Sequence, residues 1–250
     1  MRILYLGQKP IGEKCFDILR EHQSSSLQIR GAVSNQTTNV WWKSNTIYTE
    51  CVRDGIEFIP NDRRRSAEIK SLIVREQIDA IISVQHAWIL PGEILSLVDN
   101  FAFNLHNAKL PAYKGYNACN HAILNGERYY TSTIHWMTEE VDEGFIAFEE
   151  TFEIEPAETA QSLYEKAGRA GESAFRKLVA HLSEGRQVPR ETATGQGTFY
   201  PRNSLDTLRE IKNIEDLREV DRKARAFYFP PFEPAYFIVE GRKFYILPAA

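Results

Sequence analysis

The first 105 residues alternate between short apolar runs and amphipathic helical patterns, and this alternation restricts the fold more than any other feature of the sequence. Runs with β-strand character lie at Arg2–Leu6, Ile29–Val33, Asp79–Val84 and Ala102–Leu105. Helical patterns between them cover Gly12–Glu21 and Ser66–Gln77. Strands that alternate with helices are typical of a parallel sheet covered on both faces. We therefore predict an α/β fold built on a doubly wound, Rossmann-like and mostly parallel sheet.

The pattern changes near residue 115, where strands and helices no longer alternate one by one. The elements predicted next are a short helix, two strands and a long helix, at Asn117–Leu124, Thr131–Met137, Gly144–Ile154 and Thr159–Leu182. The polar segment 191–197 then marks a boundary. Beyond it we expect a charged helix at Ile214–Arg225 and a hairpin with strands Ala235–Val239 and Lys243–Leu247. The patterns predict a main domain at residues 1–188 and a small C-terminal α+β domain at residues 198–250, ending in the hairpin.

Composition and local sequence argue against several classes of protein. The formal net charge of −4 disfavours a dedicated nucleic-acid binder. No apolar run is long enough to span a membrane, and the first residues resemble a strand rather than a signal peptide. The three cysteines are scattered outside any CxxC pair, which predicts a reduced, cytoplasmic protein without metal. The segment after the first strand, Gly7–Gly12, lacks the GxGxxG fingerprint of a dinucleotide site.

The most informative segment follows the fourth apolar run and reads Asn104-Leu105-His106. Residues two apart in a strand share a face, so Asn104 and His106 point the same way at the end of the strand where open parallel sheets bind ligands. A carboxamide can donate to a developing oxyanion, and an imidazole can carry a proton near neutral pH. The pair therefore fits acyl transfer. The alternative is that both side chains merely end the strand and cap the next turn.

A second polar element is the acidic turn between the two later strands, residues 138–144. Any of its four acids could face a catalytic histidine, orient it and stabilise its charged form. Spacing does not choose among the four. The alternative interpretation is a solvated acidic turn.

Together these elements resemble the formyltransferases that use 10-formyltetrahydrofolate. The matching motifs are, in order, Asn104-Leu105-His106, Leu110-Pro111, Tyr113-Lys114-Gly115, Asn125-Gly126, Thr131-Ser132-Thr133-Ile134-His135 and Val141-Asp142-Glu143-Gly144. The order and the spacing both agree with the family pattern, and the resemblance covers roughly residues 1–185.

The resemblance implies a catalytic group and a donor site. It identifies Asn104, His106 and Asp142 as catalytic, and so selects Asp142 from the four acids. It places the pterin of 10-formyltetrahydrofolate between two segments, which comprise Trp88, Ile89 and Leu90 on one side and Thr138, Glu139, Glu140 and Val141 on the other. From the residues alone, Trp88–Leu90 is equally a core run that leads into a helix.

The resemblance leaves three classes of formyl acceptor. Members that act on transfer RNA have a basic surface and a larger C-terminal domain, and those that act on glycinamide nucleotide lack the C-terminal piece. Members that act on nucleotide-linked amino sugars often carry a short extension with an aromatic, proline-rich segment like Arg225–Phe232, and commonly pair through it. We therefore expect a nucleotide-linked amino sugar as acceptor and a homodimer. A rival of a different class is a non-catalytic nucleotide-sugar-binding protein.

Four residues are candidates for binding the acceptor. Lys9 and Gln85 follow two strand ends on the same sheet edge as His106, and we expect them to contact the sugar or its diphosphate. Lys114 could reach a phosphate. Tyr228 contacts the nucleotide in one interpretation, whereas in the other the segment 227–232 is a strut that covers the core.

Two further clusters carry weaker alternatives. Cys119, His121 and His135 could surround a metal, but Cys-x-His is a poor chelate on a helix and there is no second ligand pair, so we expect no metal site. The adjacent Trp41 and Trp42 fit a dimer contact, a surface that stacks on a base, or local packing.

Overall fold

The computed structural model describes residues 1–37, 41, 42 and 44–249. Its main sheet contains seven strands, which are β1 (Arg2–Gly7), β2 (Gln28–Ser34), β3 (Glu57–Pro60), β4 (Ala80–Val84), β5 (Ala102–His106), β7 (Tyr129–Trp136) and β8 (Ile146–Glu153). Their order across the sheet is β3-β2-β1-β4-β5-β7-β8. The first five strands are parallel, and β7 and β8 pair antiparallel at one end. The predicted α/β fold with a mostly parallel sheet is confirmed.

The central strands form because their side chains are buried on both faces of the sheet. Every residue of β4 is buried, as are all residues of β1 except Arg2. Helices cover these faces, namely α1 (Lys9–Glu21), α2 (Thr46–Asp54), α3 (Ser66–Glu76), α4 (Gly92–Leu95), α5 (Ala118–Asn125) and α6 (Ala160–Ser183). Continuous apolar runs are what a doubly covered parallel sheet requires.

Strand β3 and helix α2 were not predicted, and helix α1 begins earlier than expected. The edge strand β3 has only four residues, is half-exposed and ends at Pro60, so its apolar signal is weak. Helix α2, which precedes it, was also missed. Helix α1 begins at Lys9 rather than Gly12, because Pro10 fits the first turn of a helix, where its missing N–H costs nothing.

Helix α6 packs on β7 and β8 and confirms the long helix predicted at this position. Thr159 caps its start in a capping box, in which the Ser162 N–H donates to Thr159 Oγ1 over 3.1 Å and the Thr159 N–H donates to Ser162 Oγ over 2.9 Å. Its buried residues recur with helical periodicity and fill the space beneath the sheet.

The C-terminal part contains α7 (Leu217–Ala226) and a hairpin of β10 (Ala235–Val239) and β11 (Arg242–Ile246). Glu240 and Gly241 both have positive φ at the hairpin turn, 47° and 75°, as a two-residue turn of type I′ requires. Leu205, Ile211, Phe227 and Ala235 lie in one hydrophobic cluster with residues of α5 and α6. This part therefore shares a core with the rest of the chain. The division into domains at 1–188 and 198–250 stays a prediction.

Strands β1, β4 and β5 lie side by side and end at the same edge of the sheet. Lys9 and Gln85 follow the first two strands with left-handed backbone, φ 63° and 56°, and so turn the chain sharply at that edge. Asn104 and His106 lie at the end of β5. The topology thus gathers the polar residues of three strand ends. Among the described residues, no helix combines the length and apolarity needed to cross a bilayer.

Candidate active site

A cleft of about 530 Å³ opens over the ends of β1, β4 and β5. Its walls also include the turn after β7, part of α5 and residues from the C-terminal part of the chain. Asn104, His106 and Asp142 all line it. The three residues that the resemblance identifies as catalytic therefore lie around one cavity.

The carboxamide of Asn104 is held by two neighbouring side chains. Ser83 Oγ donates to Asn104 Oδ1 over 2.9 Å, and Asn104 Nδ2 lies 3.0 Å from His135 Nε2. His135 Nδ1 lies 2.9 Å from the Trp136 carbonyl, which can only accept, so Nδ1 carries the proton of the neutral ring. His135 Nε2 then accepts from the Asn104 amide. The second N–H of that amide remains available to a ligand in the cleft.

His106 is held from both sides. Its Nε2 lies 2.6 Å from the Tyr113 carbonyl, so this nitrogen donates and carries the proton of the neutral ring. Its Nδ1 faces Asp142 Oδ2 at 3.6 Å. Burial lowers the pKa of His106, and the Asp142 carboxylate opposes part of that effect. At neutral pH the imidazole is therefore uncharged, with the lone pair of Nδ1 directed toward a carboxylate.

Asp142 remains ionised although it is largely buried. Burial alone raises the pKa of a carboxyl, but the imidazole of His106, which is positively charged in the acidic range where this carboxyl titrates, together with His135 and the backbone N–H of Gly115, outweighs burial and lowers the pKa of Asp142 to about 2. The Gly115 N–H donates to Asp142 Oδ2 over 2.9 Å, and His135 Nε2 lies 3.5 Å from Oδ1. The site therefore holds a fixed negative charge next to His106.

His135 stands in a matching motif and among the metal candidates, but its position beside Asn104 was not predicted from the sequence. The two residues are direct partners in the antiparallel pairing of β5 and β7. The strand order that produces this pairing is not visible in the local pattern. Of the residues weighed as metal ligands, His121 bonds to Ser204 Oγ and Cys119 to Tyr130 Oη. In the part of the chain that the structure describes, no cluster of three potential ligands could hold a metal.

Most residues expected to bind the donor lie at one end of the cleft. Trp88, Ile89, Leu90, Thr138, Glu140 and Val141 line it. The Trp88 indole N–H donates to Asn61 Oδ1 over 2.9 Å, and Leu90 belongs to the core. Ile89 is 63% exposed and is free to contact a ligand. Glu139 departs from the prediction, because its side chain lies over Gly92 and not on the cleft wall.

His86 lies beside these donor residues and was not singled out by the sequence. It lines the cleft, and both of its ring nitrogens are buried without a hydrogen-bond partner among the described residues. Burial lowers its pKa to about 3, so the ring is neutral. A neutral imidazole offers one donor and one acceptor, and leaving both unpaired is costly unless a ligand or water uses them.

The acceptor residues predicted from the sequence are only partly brought together. Lys9 and Gln85 line the cleft, and Lys9 Nζ donates to Gln85 Oε1 over 2.8 Å. Burial lowers the pKa of Lys9, with Arg202 contributing in the same direction. Lys114 does not reach the wall formed by the described residues, because its ammonium pairs with Glu143. Tyr228 does not reach it either, whereas its neighbours Phe227 and Phe229 do, because the backbone there places alternate side chains toward the cleft.

The structure places on the cleft wall three aromatic residues that were not among the predicted site residues. Trp41, Tyr164 and Phe229 pack edge to face, with ring centres 5.4 to 5.7 Å apart, on the cleft wall. Tyr164 Oη and Arg209 Nε are buried without hydrogen-bond partners among the described residues. Tyr164 lies on α6, where its spacing from the apolar residues is the one expected of a core residue. Trp42 is 7% exposed, so local packing accounts for this tryptophan, and Trp41 faces the cavity.

Comparison with known proteins supports the resemblance to formyltransferases. The formyl transferase family matches residues 1–179. GDP-perosamine N-formyltransferase from Brucella melitensis is 31% identical over 172 residues, covering 67% of this chain and 64% of the relative. Methionyl-tRNA formyltransferase from Streptococcus sanguinis is 27% identical over 190 residues, covering 76% of this chain and 60% of the relative. The chain thus matches less than two thirds of either relative.

A solved structure shares the fold over nearly the whole chain. It is the N-formyltransferase from Helicobacter canadensis in complex with folinic acid and dTDP-3-aminofucose, with a TM-score of 0.75 and 20% identity over 96% of this chain and 85% of the other. The match to the family extends over most of the sequence and includes every motif on which the predicted resemblance rests. This chain therefore belongs to the formyl transferase family.

Proposed function

We propose that this protein is a sugar N-formyltransferase, which transfers the formyl group of 10-formyltetrahydrofolate to the amine of a nucleotide-linked amino sugar. The observation that carries the proposal is the arrangement of Asn104, His106 and Asp142 around one cleft, with His135 fixing the amide and the Tyr113 carbonyl fixing the imidazole. A protein that only bound a nucleotide sugar would have no use for this arrangement.

Asn104 is proposed to stabilise the oxyanion that forms when an amine attacks a formyl carbon. Its Oδ1 is occupied by Ser83 and one of its N–H groups by His135, so the remaining N–H is held in one direction. A donor that is already oriented costs no reorganisation when negative charge develops. Removal of one such donor typically costs about 10²- to 10³-fold in turnover.

His106 is proposed to take the proton that the attacking amine loses. Because Nε2 is committed to the Tyr113 carbonyl, the proton is accepted at Nδ1, which faces Asp142. The carboxylate then stabilises the imidazolium and the ring returns the proton to the leaving nitrogen. The low pKa of His106 keeps it ready to accept a proton at neutral pH.

The donor end of the cleft suits a folate. Trp88, Ile89 and Val141 offer apolar surface to a planar pterin, and the unpaired nitrogens of His86 can bond to its polar edge. Backbone groups of residues 138–141 add further partners. The Helicobacter protein of the same fold was solved with folinic acid, which supports a folate as donor.

The other end of the cleft suits a nucleoside diphosphate. Lys9, Arg202 and Arg209 supply positive charge there, and Trp41, Tyr164 and Phe229 supply an aromatic wall for a base. The Brucella relative is named for GDP-perosamine and the Helicobacter structure holds dTDP-3-aminofucose. Both ligands are nucleotide-linked sugars, which supports this class of acceptor and leaves the base and the sugar open.

Transfer RNA is the second candidate acceptor, because a methionyl-tRNA formyltransferase is also among the relatives. The formal net charge of −4 argues against it, since an RNA substrate requires many phosphate contacts. Glycinamide nucleotide is the third candidate acceptor. A homodimer that pairs through the C-terminal region, and a cytoplasmic location, belong to the same proposal.

The test is a direct assay of formyl transfer. Purified protein is mixed with 10-formyltetrahydrofolate and a panel of amino-sugar nucleotides, with charged initiator transfer RNA and glycinamide nucleotide in parallel. We expect one sugar nucleotide to gain the mass of a formyl group. His106→Gln should abolish the gain, and His22→Gln, which changes an exposed histidine at the end of α1, should not. Formylation of the RNA at a rate equal to that of the best sugar nucleotide would overturn the acceptor, and no transfer to any of them would overturn the function.

A further inference from the structure

We propose that residues 198–204, called here the strap, are a positioning element for His106 and Asp142, called here the catalytic pair, and that Tyr200 is the residue through which the strap acts. The strap lies beyond residue 179, where the match to the formyl transferase family ends. Its kinetic consequence rests on the proposed function, whereas its effect on His106 is a property of the protein alone.

The loop at residues 111–116 supplies a backbone group to each member of the catalytic pair. The Tyr113 carbonyl accepts from His106 Nε2 over 2.6 Å, and the Gly115 N–H donates to Asp142 Oδ2 over 2.9 Å. Both contacts are made by main-chain atoms, so no side chain of the loop can compensate for a change in its position. The orientation of the imidazole and of the carboxylate therefore depends on where this backbone lies.

The strap fixes that backbone at both ends. The Thr198 N–H donates to the Pro111 carbonyl over 3.2 Å, and the Lys114 N–H donates to the Thr198 carbonyl over 2.9 Å. The Tyr116 N–H donates to the Tyr200 carbonyl over 2.9 Å. These bonds belong to a parallel pairing of β6 (Lys114–Gly115) with β9 (Phe199–Tyr200). The two catalytic contacts lie between the anchored positions.

The ring of Tyr200 fills the space between this loop and helix α5. It stacks on Tyr113 at 5.6 Å with an interplanar angle of 13°, and on His121 at 3.9 Å with an angle of 25°. Asn125 Nδ2 donates to the hydroxyls of both tyrosines, over 3.0 Å to Tyr113 and 3.3 Å to Tyr200. Tyr113, whose carbonyl holds His106, is thus supported along its whole side chain.

The far end of the strap is tied down as well. His121 Nε2 lies 2.8 Å from Ser204 Oγ, and Asn117 Nδ2 donates to the Arg202 carbonyl over 3.1 Å. Tyr200 does not line the cleft, and within the described part of the chain its side chain has no hydrogen bond or ring contact with Asn104, His106 or Asp142. It therefore acts through the loop and is a positioning residue, not a catalytic one.

The first test examines His106 in the protein without ligands. Nuclear magnetic resonance of protein labelled with ¹⁵N-histidine reports which ring nitrogen carries the proton, and His106→Gln identifies the signal. We expect wild type and Tyr200→Phe to show His106 protonated at Nε2, with a proton protected from exchange. Tyr200→Leu keeps the apolar volume but removes the planar stack, so it should lose that protection or mix the two tautomers.

The second test measures kinetics with the best acceptor. Misplacement of a reacting group by about 1 Å can cost on the order of 10²-fold in rate, so we expect Tyr200→Leu to lower kcat by about 10- to 100-fold and to change KM far less. Tyr200→Phe should restore kcat. Tyr129→Ala, which changes an exposed tyrosine on β7, is the matched control and should resemble wild type.

The outcomes separate this proposal from the function itself. A His106 signal that is unchanged in Tyr200→Leu would overturn the positioning role, whether or not kcat falls. A wild type that transfers no formyl group would overturn the proposed function and leave the spectroscopic result standing. Ser204→Ala removes only one hydroxyl and frees His121, so it provides the same spectroscopic test in a milder form if Tyr200→Leu does not fold.

Discussion

Replacement of Asp142 by asparagine isolates the charge that faces His106. The side chain keeps its shape, and the amide oxygen introduced by Asp142→Asn can still accept the Gly115 N–H, so the fold around it should persist. What disappears is the attraction between a carboxylate and the imidazolium that forms during proton transfer. The separation of His106 Nδ1 and Asp142 Oδ2 is 3.6 Å.

The magnitude follows from that distance. At an effective dielectric constant of about 20, two unit charges 3.6 Å apart attract by about 5 kcal/mol. If all of it acts in the transition state, the loss in turnover reaches a few thousandfold, at about 1.4 kcal/mol for each factor of ten. Relaxation of the site reduces the effect. We therefore expect kcat to fall by about 10²- to 10³-fold, within the range of general acid–base catalysis.

The assay is initial-rate formyl transfer at saturating donor and acceptor, followed by the mass of the product. Thermal unfolding is measured on the same samples, and Glu184→Gln is the control because it removes an exposed acid at the end of α6. Since the pKa of Asp142 is about 2, its own titration should leave no trace in the wild-type rate above pH 4. A variant that is folded and keeps more than a tenth of the wild-type turnover would refute the assigned role of the carboxylate.

Three further predictions follow from the same geometry. Asn104→Asp removes the amide donors while keeping the shape, so turnover should fall by about 10²-fold or more with little change in thermal stability; near-normal turnover would exclude an oxyanion role. Burial lowers the pKa of His86 to about 3 and that of His121 to about 4, and it also lowers the pKa of His106. Below pH 6.5, the ordinary pKa of histidine, the unfolded chain therefore binds more protons than the folded protein. Stability should therefore fall as pH drops from 6.5 toward 4, by up to about 1.4 kcal/mol per pH unit for each imidazole, and a flat pH profile of chemical denaturation would contradict this burial. The apparent KM for a sugar nucleotide should depend weakly on salt, because it presents two phosphates, and a steep dependence would indicate a polyanionic acceptor.

The parts of the fold that could be predicted are those with a strong local signal. The central strands are buried on both faces and read as continuous apolar runs, and α6 is long and regular. The edge strand β3 is short and half-exposed, so its pattern does not stand out. The start of α1 was misplaced because its first two residues, Lys9 and Pro10, carry no apolar signal.

The candidate site was predictable only where residues are close in sequence. Asn104 and His106 follow from the two-residue period of a strand, whereas the place of His135 depends on an antiparallel neighbour that no local pattern shows. Asp142 was selected by resemblance alone, since the acids of its turn are equivalent by spacing. The sequence left two interpretations of Tyr228 open, because no period fixes which side chains face inward in an irregular, proline-rich segment, and its side chain does not line the cleft. Tyr164 was missed because an aromatic residue at helical spacing on α6 resembles a core residue, and the sequence does not show that its hydroxyl lacks a partner among the described residues.

The antiparallel pairing of β5 with β7 has a consequence for how the protein could diversify. It brings Asn104, His106, His135 and Asp142 together from one uninterrupted stretch of chain, residues 104–142. Lys9, Tyr164 and Arg209, which line the cleft and which we propose to contact the acceptor, lie outside that stretch. Mutation at these flanking positions would therefore change the accepted substrate while residues 104–142 are inherited as a unit, provided that Ser83 and the strap, which hold Asn104 and the loop at residues 111–116, are kept. A chimaera that keeps Ser83, residues 104–142 and the strap, and takes its other residues from a relative, should adopt the relative's acceptor.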